Sequence, residues 1–203
     1  MNKASFLLAE DPSSDLVITA VMADELERYI VEEELYRTVT IRLQSGIQNL
    51  QMTGADLLTR LYRLQAEREQ LSSEEQAQLD RIVQQTQETI HSLRSRFHER
   101  LQREIKTRLD SLKWFLDDCM DEQQQQRCHI EFPFEMRNRQ RIEEALKELD
   151  DELAHELQAY LRQIDERIRR AASASAFIWD ERLRSIFPPT PYWYLYVRPL
   201  NRS

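Results

Sequence analysis

The feature that most constrains this chain is a row of apolar residues spaced seven apart: Met22, Tyr29, Tyr36, Leu43, Leu50, Leu57, Leu64 and Leu71. Leu26, Ile47 and Leu61 each follow a member of the row by four positions and widen it into a stripe. On a helix such residues share one face, and a seven-residue repeat kept over many turns implies helices wound about one another. The spacing predicts one nearly continuous helix over about residues 14–71. The chain has only two glycines, Gly46 and Gly54, in 203 residues, and the row passes both without a change of phase. Tight turns that need a glycine are therefore scarce.

The next boundary is Ser72, three residues before Glu75, which is the capping-box spacing for the start of a helix. From there Leu79, Val83, Thr86, Ile90, Leu93, Phe97, Leu101, Ile105, Leu109, Leu112 and Leu116 form the stripe of a second helix, over about 74–126. The segment from Cys128 to Met136, CHIEFPFEM, alternates Ile130, Phe132 and Phe134 around Pro133, so an extended connection is expected. Ile142, Leu146, Leu149, Leu153, Leu157, Leu161, Ile164 and Ile168 then mark a third helix over about 138–187, stopped by Pro188 and Pro189.

Three helices of similar length with short connections predict an all-α fold, an elongated antiparallel three-helix bundle or coiled-coil-like rod. The expected organisation is an N-terminal arm 1–13, a bundle 14–187 and an extended proline- and aromatic-rich tail 188–203. With residues 72 and 132 as hairpin centres, Gly54 comes level with about residue 90.

Charge and chemistry narrow the function classes. The net charge is −8, which argues against a dedicated nucleic-acid binder, because neutralising phosphate supplies most of that affinity. No apolar run reaches the roughly 18 residues of a membrane span, and the N-terminus lacks a secretory apolar core. The cytoplasm is the expected location. Cys119 and Cys128 lie nine positions apart. A straight helix would separate them by about 13.5 Å, beyond the roughly 7 Å limit for a disulfide. They can pair only if the helix ends between them, so reduced structural cysteines are expected.

No catalytic, cofactor-binding or metal site is expected. Glycine-rich phosphate loops are absent, and His98-Glu99 and His155-Glu156 lack the second histidine of a zinc-protease helix. Glu88–His91 and Glu152–His155 match the Glu-x-x-His spacing of di-iron bundles, yet the rod register holds them far apart. Cys119, Cys128 and His129 lack a fourth zinc ligand.

Two surfaces remain. Tyr192, Trp193, Tyr194 and Tyr196 concentrate in the tail, which either folds back on the chain or anchors a partner. Residues 94–113 carry seven Lys/Arg against three acids, with Arg96, Arg100 and Arg103 on one helical face. The sequence points to a non-enzymatic helical scaffold, adaptor or assembly subunit that contacts protein partners and self-associates as a homo-oligomer. The alternative is a nucleic-acid-associated protein using the 94–113 face. A helical metal-binding protein ranks below both.

Overall fold

The computed structural model describes residues 11–32, 34–43 and 46–200. Most of the expected N-terminal arm, 1–10, and the last tail residues, 201–203, lie outside the described residues. The described chain is mostly helical, with seven α-helices and two small two-stranded sheets. Its described residues divide into two compact units, 11–104 and 105–200.

In the first unit, α1 (Pro12–Asp24) starts where Asp11 caps it: the backbone N–H of Ser14 donates to Asp11 Oδ1 at 3.0 Å, and Pro12 occupies the first turn. α2 (Leu26–Val31) follows at once. The chain then departs from the expected long helix. β1 (Arg37–Leu43) and β2 (Gly46–Met52) form an antiparallel hairpin, with Val39 opposite Leu50 and Ile41 opposite Gln48.

The physical reason lies in the run Thr38-Val39-Thr40-Ile41, whose β-branched side chains favour a pleated strand and alternate between exposed and buried. Gly46 supplies a φ of 121°, which other residues rarely adopt. A seven-residue spacing samples only every seventh position. In a strand it places successive members on opposite faces, so the row cannot distinguish the two structures there. Its members Met22, Tyr29, Leu57, Leu64 and Leu71 are buried, whereas Tyr36, within the non-helical stretch, is exposed.

α3 (Gly54–Ala66) begins directly after the hairpin, capped by Thr53. Gly54 lies against Phe97 and Leu101, where an added Cβ would come within 2.9 Å of both side chains. That contact replaces the expected level near residue 90. α4 (Ser73–Ser92) starts with the predicted capping box: Ser72 N–H donates to Glu75 at 2.8 Å, and Glu75 N–H to Ser72 at 3.3 Å. α5 (Arg94–Asp118) follows after a break at Leu93, and the division between units falls within it after Glu104. α1 and α3 are joined by buried Asp15, which accepts from Arg60 and from Arg63, the Nε of the latter at 3.0 Å.

The second unit contains the rest of α5, α6 (Gln125–Glu148), α7 (Asp151–Ala171), β3 (Ala172–Ala174) and β4 (Val197–Pro199). The second helix thus ends at Asp118 rather than near residue 126, and the segment 128–136 is helical, with Pro133 inside α6. Proline removes one backbone donor there. Cys128, Phe132 and Met136, spaced by four, form a buried face that offsets the loss. Exposed Ile130 shows that the period in this segment is not two.

The expected third helix divides into α6 and α7 and stops at Ala171, because residues 172–174 pair with 197–199 as β3 and β4. The tail is not a free extended segment. Its Trp193–Tyr196 turn packs with α6, and Tyr192, Tyr194 and Leu195 are fully buried.

Candidate interaction surface

The residues that looked most available in the sequence are partly consumed by the core. Tyr192 donates its hydroxyl to Glu144 at 2.8 Å, and Lys147 Nζ lies 3.0 Å from the same hydroxyl. Tyr194 lies under the Arg139 guanidinium, 4.6 Å from ring centre to carbon, and burial drives its phenol well above the ordinary tyrosine range. Trp193 and Tyr196 are half-buried, with Arg169 over the Trp193 ring at 4.0 Å and the Tyr196 hydroxyl donating to Phe187 O at 2.8 Å. This aromatic group locks the C-terminal segment onto α6 and α7. In this conformation Tyr192 and Tyr194 cannot meet another molecule.

The arginine row is likewise divided. Arg96 and Arg103 are exposed, but Arg100 is buried, stacked over the Tyr29 ring at 4.3 Å and donating to the carbonyl of Glu32. The three do not form one exposed phosphate-tracking face.

The metal candidates are placed as follows. Glu88 accepts from Gln84 at 2.9 Å, while His91, Glu152 and His155 lie on exposed helix surfaces. Among the described residues no group of three or more His, Cys, Asp or Glu is positioned to hold an ion. Cys119 and Cys128 are bonded to each other, with Cα atoms 5.4 Å apart, which corrects the expectation of reduced thiols. The reason is the condition set by helix geometry: α5 ends at Asp118 and α6 begins at Gln125, so the chain reverses between the two cysteines. Neither sulfur is then available as a zinc ligand.

The disulfide marks a corner of the second unit. Beside it a cavity of about 160 Å³ is lined by Leu116 at the end of α5, by Met120 just beyond it, and by Arg167, Arg170 and Ala171 from the end of α7. Its lining is mostly apolar, and two arginines contribute to it. Asp117 holds Arg167, and this pairing keeps the Asp117 carboxyl below the usual carboxylate range. Arg170, 80% exposed, lies 3.5 Å from Glu166. Next to the cavity, Cys119, Cys128 and His129 meet Pro199 and Leu200, whose N–H donates to Ala171 O at 2.9 Å.

Large apolar side chains stay open around this corner. Met120 is 54% exposed, Leu200 41%, and Trp114 68%, the last on the face of α5 that also presents Asp110 and Asp117 to α7. Tyr160 of α7 donates to Asp110 at 2.7 Å, and burial together with that bond raises its phenol to about 12. These pairs fix α5 against α7 and so fix the cavity mouth. An exposed methionine lining an apolar cavity makes this corner the candidate anchor site.

In the sequence the signal was weak but present. Trp114 and Met120 flank the stripe residue Leu116, the first on a helix otherwise charged on its outer face and the second just past its end. No helix among the described residues is long and apolar enough to cross a membrane. No protein family matches the chain, and neither does any curated protein or solved structure.

Proposed function

We propose that this protein is a non-enzymatic helical adaptor that holds a protein partner at the α5–α7 corner. The observation that carries the reading is the 160 Å³ cavity with a mostly apolar lining to which Arg167, Arg170 and exposed Met120 contribute. A cavity of about 150 Å³ accommodates a benzene-sized group. It therefore suits one leucine or phenylalanine side chain. The two arginines favour a carboxylate next to that side chain, since guanidinium groups pair with carboxylates in two-pronged fashion. The occupant is a segment with one apolar anchor followed by acidic residues. Coiled-coil partnering through long helix seams has less support, because the longest α-helix spans Arg94–Asp118.

The nucleic-acid reading is weakened by the burial of Arg100 and by the net charge of −8. The Cys119–Cys128 bond also favours an oxidising compartment over the cytoplasm suggested by the sequence.

The test is calorimetric titration with short peptides of the form Leu-Asp-Glu or Phe-Glu-Glu within a helical host. Saturable binding is expected, with loss on filling the cavity by Ala171→Leu and at least about tenfold weakening by Arg170→Glu. Absence of binding by every such peptide, or binding indifferent to both changes, would sink the proposal.

A further inference from the structure

The β1–β2 hairpin is a two-stranded sheet with strand neighbours on one side only of each strand among the described residues. A sheet of that size is marginal by itself, and an open edge is a template for another strand. Natural edges are usually blunted by charge or proline. β1 meets that expectation. Arg37 lies in it, held by Glu25 and Glu32, Arg42 projects from its exposed face, and α1 packs beside it.

β2 does not meet it. Its seven residues, Gly46-Ile47-Gln48-Asn49-Leu50-Gln51-Met52, include no charge and no proline, in a chain that is 32% charged. Its exposed face presents Ile47, Asn49 and Gln51, with Ile47 65% open.

We infer that the outer edge of β2 pairs antiparallel with the same edge of a second copy of this chain, giving a four-stranded sheet in the order β1–β2–β2–β1. The strand is complementary to itself. A twofold axis at Asn49 sets Ile47 opposite Gln51 of the other copy and brings the two Asn49 amides together, each able to donate and accept. Asn49 Oδ1 already accepts from Thr40 at 2.8 Å, which orients its amide nitrogen on the exposed face. No like charges meet, although each copy carries −8. Pairing through β1 would instead bring its two arginines close to those of the other copy, which is destabilising. An uncharged strand also offers nothing to steer a charged hetero-partner onto it. The pairing deepens the adaptor reading by making it bivalent, yet it uses residues of the first unit only.

The experiment is sedimentation velocity on the full chain across a concentration series, with circular dichroism to confirm unchanged helicity. Wild type is expected to pass from one copy to two as concentration rises. Ile47→Lys and Asn49→Lys, both on exposed positions, are each expected to weaken the dimer by at least about tenfold. Asn49→Cys is expected to give a covalent dimer on mild oxidation, because the twofold axis places the two side chains opposite each other. A single-copy mass at every concentration overturns the inference. So does a dimer that survives both lysine changes and fails to cross-link through Asn49→Cys. Ala171→Leu is expected to leave the dimer intact, so loss of peptide docking and loss of pairing are read separately.

Discussion

Each unit buries one arginine stacked on a tyrosine, and the two are stabilised in different ways. Arg100 covers Tyr29 and donates to a backbone carbonyl, while the nearby carboxylate of Glu104 is occupied by Thr53 at 2.6 Å and the N–H of Ala55 at 3.1 Å. Arg139 covers Tyr194 and meets Asp165 through two nitrogens, at 2.8 and 3.1 Å, and Glu143 at 2.8 Å. The first arginine adds contacts to a site whose acid is already satisfied by helix-start donors. The second is the counter-charge on which a buried acid depends. Similar geometry therefore implies different consequences of removal.

The largest expected effect tests that contrast. Arg139→Met leaves Asp165 without its guanidinium and should destabilise the second unit by about 3–5 kcal/mol, the usual penalty for stranding a buried charge. Arg100→Met keeps the apolar stem and strands no acid, so it should cost only about 1 kcal/mol, a cation–π contact and a hydrogen bond. Urea denaturation of both variants measures the difference. Equal losses would break the comparison.

A smaller effect sharpens it. The second unit alone carries a cross-link, closing a loop between residues nine apart in sequence. Replacing both Cys119 and Cys128 with serine should lower its stability by about 2–3 kcal/mol through the freed loop entropy. Proteolysis should then cut in 119–128 and beyond while 11–104 keeps its protection. Equal loss of protection in both units would contradict this assignment.

A further effect is alkaline. Burial first, then the charge of Glu104, raises Tyr29 from the ordinary value of 10.0 to about 12. A phenol whose folded value is raised gives its full stabilisation below pH 10 and loses it as pH climbs toward 12. At pH 11 the first unit should have lost about 1.4 kcal/mol, one pKa unit's equivalent. Tyr29→Phe should flatten that part of the profile, as followed by hydrogen exchange of α1 and α2 amides.

The parts of this fold legible in the sequence are those fixed by local chemistry. Ser72 and Glu75 announce α4, and the stripe from Phe97 through Leu101, Ile105, Leu109, Leu112 and Leu116 is buried throughout, as a helix of that period requires. The hairpin was hidden by its own neighbours, because Leu43 and Leu50 continue a seven-residue row that a strand satisfies by coincidence. The alternation Thr38-Val39-Thr40-Ile41 carried the contrary signal.

Pro133 misled in the opposite direction. A single forbidden donor was weighed against a face, Cys128, Phe132 and Met136, whose burial depends on elements remote in sequence. The cavity at the α5–α7 corner was least legible. It exists only where the last turns of α5 and α7 come together, and no spacing within either helix specifies that meeting.

One consequence of the layout concerns light rather than energy. All three tryptophans, Trp114, Trp179 and Trp193, fall in residues 105–200, and residues 11–104 contain none. They also sample three depths: Trp114 is open, Trp193 lies beneath Arg169, and Trp179 is buried with its indole N–H on Pro133 O at 2.9 Å. The protein thus carries a built-in optical label for one half of itself, while the other half is visible only through its tyrosines. Indole emission recorded in a melt would follow 105–200 alone in the unmodified chain, whereas tyrosine absorbance, with Tyr160, Tyr192, Tyr194 and Tyr196 in that same unit, would report both.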